Sequence, residues 1–113
     1  MTQSTFPQLP PQVAAYVAAT NAHDAAGIAR CFAPDGTVRD EGHTHSGHAD
    51  IAAWAEQVAA RYAATMAPDS GAEADGQYLL RAQVSGNFPG SPVLLAFRFV
   101  LQAGAIASLE IGA

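Results

Sequence analysis

The sequence predicts an α+β domain in which N-terminal helices pack on a curved antiparallel sheet. Three observations carry that expectation. Apolar residues recur at helical spacing in the first half, as Val13, Tyr16, Val17 and Thr20, and again as Ile51, Trp54, Val58 and Tyr62. They alternate at strand spacing in the last third, as Tyr78, Leu80, Ala82 and Val84, then as Val93, Leu95, Phe97, Phe99 and Leu101. Half of the 113 residues are apolar and 13% are charged, which suits one domain with its own core. Helices in one block and strands in another gather the helices on one side of the sheet.

Taken in order, residues 1–8 are polar and read as flexible, with Phe6 available to dock. Pro10-Pro11 suit a helix start, where a missing N–H costs nothing. The first helix runs to about Asn21 and breaks at Asn21-Ala-His-Asp24. Asp24 can cap a second helix whose inner face is Ala25, Ile28, Ala29 and Phe32. Pro34-Asp35-Gly36 reads as the turn that ends this helix and enters a short strand at Thr37–Asp40. A polar hairpin over Gly42–Gly47 follows. A third helix starts at about Asp50 and runs to about Met66, ahead of Pro68. Residues 69–76 read as a solvated loop. Strands over 77–87, 93–102 and 105–111, with turns at Phe88–Pro92 and Ala103-Gly104, complete a three-stranded meander.

Charge and composition exclude several functions. The chain has no lysine, its five arginines (30, 39, 61, 81, 98) are scattered, and its net charge is −5. Without a basic stripe, neither nucleic acid nor an anionic membrane surface is an expected partner. Cys31 is the sole cysteine, so no intrachain disulfide forms, and it reads as a small buried apolar residue. The first residues lack the basic and apolar regions of a signal peptide. No run of about 18 apolar residues exists. A cytoplasmic domain is the expectation.

Chemistry-bearing side chains concentrate between Cys31 and Trp54: Asp35, Asp40, Glu41, His43, His45, His48 and Asp50. His43-x-His45-x-x-His48 puts two imidazoles on one face if the segment is extended, as metal ligands can be, but the spacing matches no strong metal motif. Exposed hairpin histidines and an acid/base histidine at a pocket rim are the other readings. Nothing resembles a phosphate loop, a nucleophile elbow or a dinucleotide fingerprint.

Tyr16-Val17, the break at His23-Asp24, Cys31-Phe-Ala-Pro-Asp-Gly-Thr-Val-Arg-Asp40, and Gly47, Ile51 and Trp54 resemble the NTF2-like superfamily, in its SnoaL-like and ketosteroid-isomerase-like branch. Val84–Pro92, Phe97-Arg-Phe99 and Gly104-Ala-Ile106 extend the likeness over nearly the whole chain. The resemblance implies a cone, also called cystatin-like, whose bent sheet wraps helices around an apolar pocket. It also implies a homodimer paired through the outer sheet face. Ketosteroid isomerases place a proton-moving carboxylate at the end of the first strand and a hydrogen-bonding tyrosine on the first helix. Those motifs fall on Asp40 and Tyr16. A second, carboxylic-acid donor completes their oxyanion site. Counted back from Gly104 it falls on Ala96, within a residue or so, and alanine cannot donate. This argues against the steroid reaction itself.

Phe32, Trp54, Val58, Phe88, Phe97 and Phe99 are candidates to line the pocket, each equally readable as core. Arg98, a charge amid Leu94–Leu101, shares a face with Ala96 by the same count, at the pocket beside Asp40 or on the outer face. A carboxylate facing apolar space has its charged form disfavoured, which raises its pKa towards general-base values. The expected function is isomerase, cyclase or dehydratase chemistry on a small hydrophobic carbonyl compound. Asp40 would act as base and Tyr16 as donor, with no cofactor and no metal. The alternative is a ligand-binding or protein-interaction module without chemistry.

Overall fold

The computed structural model describes residues 9–112. The expectations for residues 1–8, including Phe6, lie outside them. Three helices, α1 (Pro11–Asn21), α2 (Ala25–Arg30) and α3 (Gly47–Tyr62), pack on six strands: β1 (Phe32–Asp40), β2 (His43–Ser46), β3 (Thr65–Ala74), β4 (Gln77–Ser85), β5 (Val93–Gln102) and β6 (Ala105–Gly112). The sheet order is β2-β1-β6-β5-β4-β3. The β1/β6 pair is parallel and the other pairs are antiparallel.

The helices form where the periodicity asked for them. Pro11 opens α1, which buries Val13, Tyr16 and Val17. The Asp24 side chain accepts a hydrogen bond from the Gly27 N–H at 3.0 Å and caps α2. Cys31, half-buried, follows the last turn, and its Sγ donates to the Gly27 carbonyl at 3.3 Å. The core joins these faces to alternate residues of the sheet, among them Val38, Leu80, Phe99, Ile106 and Leu109. Each large apolar side chain buried there contributes about 1.5–3 kcal/mol.

Three local readings are corrected. Pro34-Asp35-Gly36 is not a turn before the strand. β1 already pairs at Phe32 with Ile106 and resumes at Thr37 with Ser108, so the intervening residues bulge out of a continuous strand. Helix α3 starts at Gly47 rather than Asp50 and stops at Tyr62, short of Met66. Ala63 takes a left-handed conformation (φ 48°) and its N–H bonds back to Ala59.

The largest correction concerns residues 65–76. They form β3 and its turn, so the meander has four strands. β3 lies at the sheet edge, where Pro68 is tolerated, and a bulge at Asp69 shifts its register against β4. Asp75-Gly76 makes the two-residue turn to β4, both residues having positive φ. Gly71 is required by packing: a side chain there would overlap the Tyr78 hydroxyl.

Candidate functional site

Between the helices and the sheet lies a cavity of about 300 Å³. The end of β1, the C-terminal halves of α1 and α3, and the inward faces of β3 to β6 all contribute to its wall. Its walls are mainly apolar: Val58, Met66, Val84, Phe88, Leu95, Phe97 and others. Tyr16 and Asp40 both line it.

Asp40 is the last residue of β1, just before the Glu41-Gly42 turn, in which both residues have positive φ. It is half-buried, and Trp54 Nε1 on α3 donates to its Oδ2 at 3.1 Å. Burial raises the pKa of the carboxyl above the ordinary aspartate range, and the neighbouring Glu41 charge adds to this. The Trp54 hydrogen bond, the nearby His45 and the Glu41 backbone oppose the rise by favouring the charged form. Tyr16, only 3% exposed, packs edge-on against Phe32 and Phe99, with ring centroids at 6.4 and 5.4 Å. Burial pushes its phenol well above the usual tyrosine range, so it stays a neutral donor at any ordinary pH. Thr20 Oγ1 lies in the same wall, buried and with no hydrogen-bond partner among the described residues.

Trp54, Val58, Phe88 and Phe97 line the cavity with them. Phe32 and Phe99 do not. They are fully buried core residues behind Tyr16. Arg98 is corrected as well: it is exposed on the other face of β5, opposite Glu110 of β6. Strand alternation decides this, because Phe97 and Phe99 point inward and their neighbours cannot. Ala96 therefore also faces away. The cavity positions on β5 are Val93, Leu95 and Phe97, which cannot donate either.

The three histidines divide between two places. His45 is half-buried, with its ring centroid 6.0 Å from that of Trp54, in a groove that adjoins the cavity and shares Asp40 and Glu41 with it. His43 is exposed in the same groove. His48 Nε2 lies 2.8 Å from the Phe32 carbonyl and ties the start of α3 to β1, away from the cavity. Among the described residues, no three His, Cys, Asp or Glu side chains are grouped to hold a metal ion.

Some cavity residues escaped the sequence reading. His23, read as part of a helix break, lines the wall, with Nε2 at 3.0 Å from the Ala64 carbonyl. Glu41 Oε2 accepts from the Tyr62 hydroxyl at 3.3 Å, linking the β1–β2 turn to the end of α3. Tyr62 also packs edge-on against Phe88, at 5.8 Å. The α3 periodicity marked Tyr62 as apolar-facing. No signal marked His23.

The chain belongs to the SnoaL-like domain family, whose model matches residues 13–109. Its fold is NTF2-like, or cystatin-like, as in solved relatives. A provisional polyketide cyclase from Sinorhizobium meliloti is 38% identical, with a TM-score of 0.87 over 91% of this chain and 94% of that one. A protein of ketosteroid isomerase-like fold from Catenulispora acidiphila, solved in complex with trimethylamine, is 22% identical. It superposes with a TM-score of 0.84 over 94% of this chain and 87% of its own. An NTF2-like protein of unknown function from Cytophaga hutchinsonii is 14% identical, with a TM-score of 0.76 over 97% and 92% of the two chains. The last two likenesses are of fold alone. None of the curated proteins matches this chain. Among the described residues, no helix is long and apolar enough to cross a membrane.

Proposed function

We propose that the chain catalyses proton transfer at a carbon next to the carbonyl of a small apolar compound, in an isomerase-, cyclase- or dehydratase-type reaction. Asp40 is the general base and Tyr16 donates a hydrogen bond to the oxygen that gains charge. The observation that carries this reading is a carboxylate with a raised pKa, held by Trp54 Nε1 at 3.1 Å, lining an apolar cavity that a neutral phenol also lines. Raising the carboxyl pKa strengthens the base, and a phenol that cannot ionise at neutral pH suits an oxyanion donor. The likeness to a provisional polyketide cyclase supports carbonyl chemistry of this kind.

A panel of small ketones and polyketide-like esters incubated with the protein in deuterium oxide tests the proposal. Carbon-bound hydrogens of a substrate exchange in the presence of the wild type. Asp40→Asn abolishes exchange and spares binding, because an asparagine oxygen still accepts from Trp54.

A second reading, a ligand-binding module without chemistry, is favoured by the depth of Tyr16 in the aromatic core. It predicts that a bound ligand meets the same fate with Asp40→Asn or Tyr16→Phe as with the wild type.

A further inference from the structure

The cavity has an unbalanced charge. Asp40 and Glu41 both reach it, beside five aromatic rings: Tyr16, Trp54, Tyr62, Phe88 and Phe97. The chain has no lysine, and among the described residues no arginine lines the cavity. Arg61 stands outside in the adjoining groove and open to solvent, its guanidinium 5.7 Å from the Tyr62 ring centroid and its Nη1 donating at 3.5 Å to the Tyr62 hydroxyl, so it reaches Glu41 only through Tyr62 and from the solvent side. Among the described residues neither carboxylate has an ion-pair partner; the ion pair present joins Arg30 to Asp24. The donors that reach them, Trp54 Nε1 on Asp40 and the Tyr62 hydroxyl on Glu41, are neutral. His23 holds the Ala64 carbonyl, and His45 lies on the groove side.

A half-buried carboxylate and an exposed one at the rim, in a cavity that no arginine or lysine lines, favour a ligand that brings its own cation. Aromatic faces carry the negative end of the ring quadrupole and attract alkylammonium groups. An anionic ligand meets repulsion from both. An uncharged one satisfies the walls but gains nothing from the carboxylates.

Resting on the pocket reading above, we infer that the cavity selects a small apolar molecule carrying an alkylammonium group, and that Glu41 sets this preference. Glu41 occupies the left-handed corner of the β1–β2 turn (φ 53°), and its carboxylate reaches across to Tyr62, where cavity and groove meet. Asp40, set half-buried at the end of β1, remains free for the substrate carbon. A positive charge held at Glu41, next to that carbon, makes its C–H bond more acidic and so assists the base.

Three probes of one shape test the inference: choline, tert-butylethanol, in which carbon replaces the quaternary nitrogen, and the tert-butylacetate anion. Trp54 is the sole tryptophan and lines the cavity, so its fluorescence reads occupancy directly. Choline binds at least about tenfold more tightly than tert-butylethanol, and tert-butylacetate binds weakest. Glu41→Gln keeps the hydrogen bond from Tyr62 but brings the choline preference close to unity, with tert-butylethanol affinity held within about twofold. Equal or tighter binding of the neutral probe overturns the inference, as does a preference that Glu41→Gln does not change. Silence from all three probes overturns it too. None of these outcomes touches the proton-transfer reading, which stands or falls on deuterium exchange by Asp40→Asn.

Discussion

Trp54 Nε1 donates to Asp40 Oδ2 at 3.1 Å, joining the third helix to the end of the first strand at the cavity wall. The bond holds the carboxylate in place and limits the rise in pKa that burial imposes. Trp54→Phe removes a donor that favours the charged form, so the Asp40 pKa moves further up. The low-pH limb of an activity profile then shifts to higher pH. The smaller ring also leaves space in the core and costs about 1–3 kcal/mol in urea denaturation.

Asp40→Asn separates stability from function. Burial raises the folded-state pKa above its unfolded value, so ionisation is harder in the folded chain. That penalty is absent below the unfolded aspartate pKa of about 4, grows as pH rises through the folded pKa, and is then constant. Asparagine escapes it and still accepts from Trp54. The variant melts at a higher temperature than the wild type near neutral pH, and the gap closes on acidification, as calorimetry over a pH series would show.

Tyr16→Phe splits the same way. Its ring packs between Phe32, Phe97 and Phe99, and phenylalanine keeps that packing. Stability changes by no more than about 1 kcal/mol. Deuterium exchange into substrate falls by about 100-fold, the usual cost of losing one oxyanion donor.

Asn21 predicts a structural loss without a chemical one. Its Nδ2 donates to the Met66 carbonyl at 3.0 Å and its Oδ1 accepts from the Met66 N–H at 2.7 Å, pinning the end of α1 to β3. Asn21→Ala leaves both backbone groups without that partner and costs about 1–3 kcal/mol. Amide exchange at Met66 accelerates, while global exchange at Leu80 follows only the change in overall stability.

The helical faces and the strands after Gln77 were legible because their patterns are strong. Val13, Tyr16 and Val17 sit at helical spacing, and Tyr78, Leu80 and Ala82, like Phe97, Phe99 and Leu101, recur at every second position. Strand β3 was not, because an edge strand exposed on most positions has no apolar alternation to read. Asp75-Gly76 was the signal available, a dipeptide that favours two-residue hairpin turns. The error at Arg98 came from counting positions from a distant turn; the inward Phe97 and Phe99 on either side already forced it outward. Asp40 and Tyr16 could be named from motif resemblance, but the hydrogen bond from Trp54 and the reach of Glu41 to Tyr62 are tertiary. Local patterning carries no trace of them.

The central claim, that Asp40 is the base, is tested most directly by comparing two pH curves. One is the carbon-13 titration of the Asp40 carboxyl in the wild-type protein. The other is the pH dependence of deuterium exchange into a substrate. With Asp40 as the base, exchange rises with its ionised fraction, with one shared midpoint above the ordinary aspartate range. Exchange that stays flat while Asp40 titrates, or rises at an unrelated pH, would contradict it.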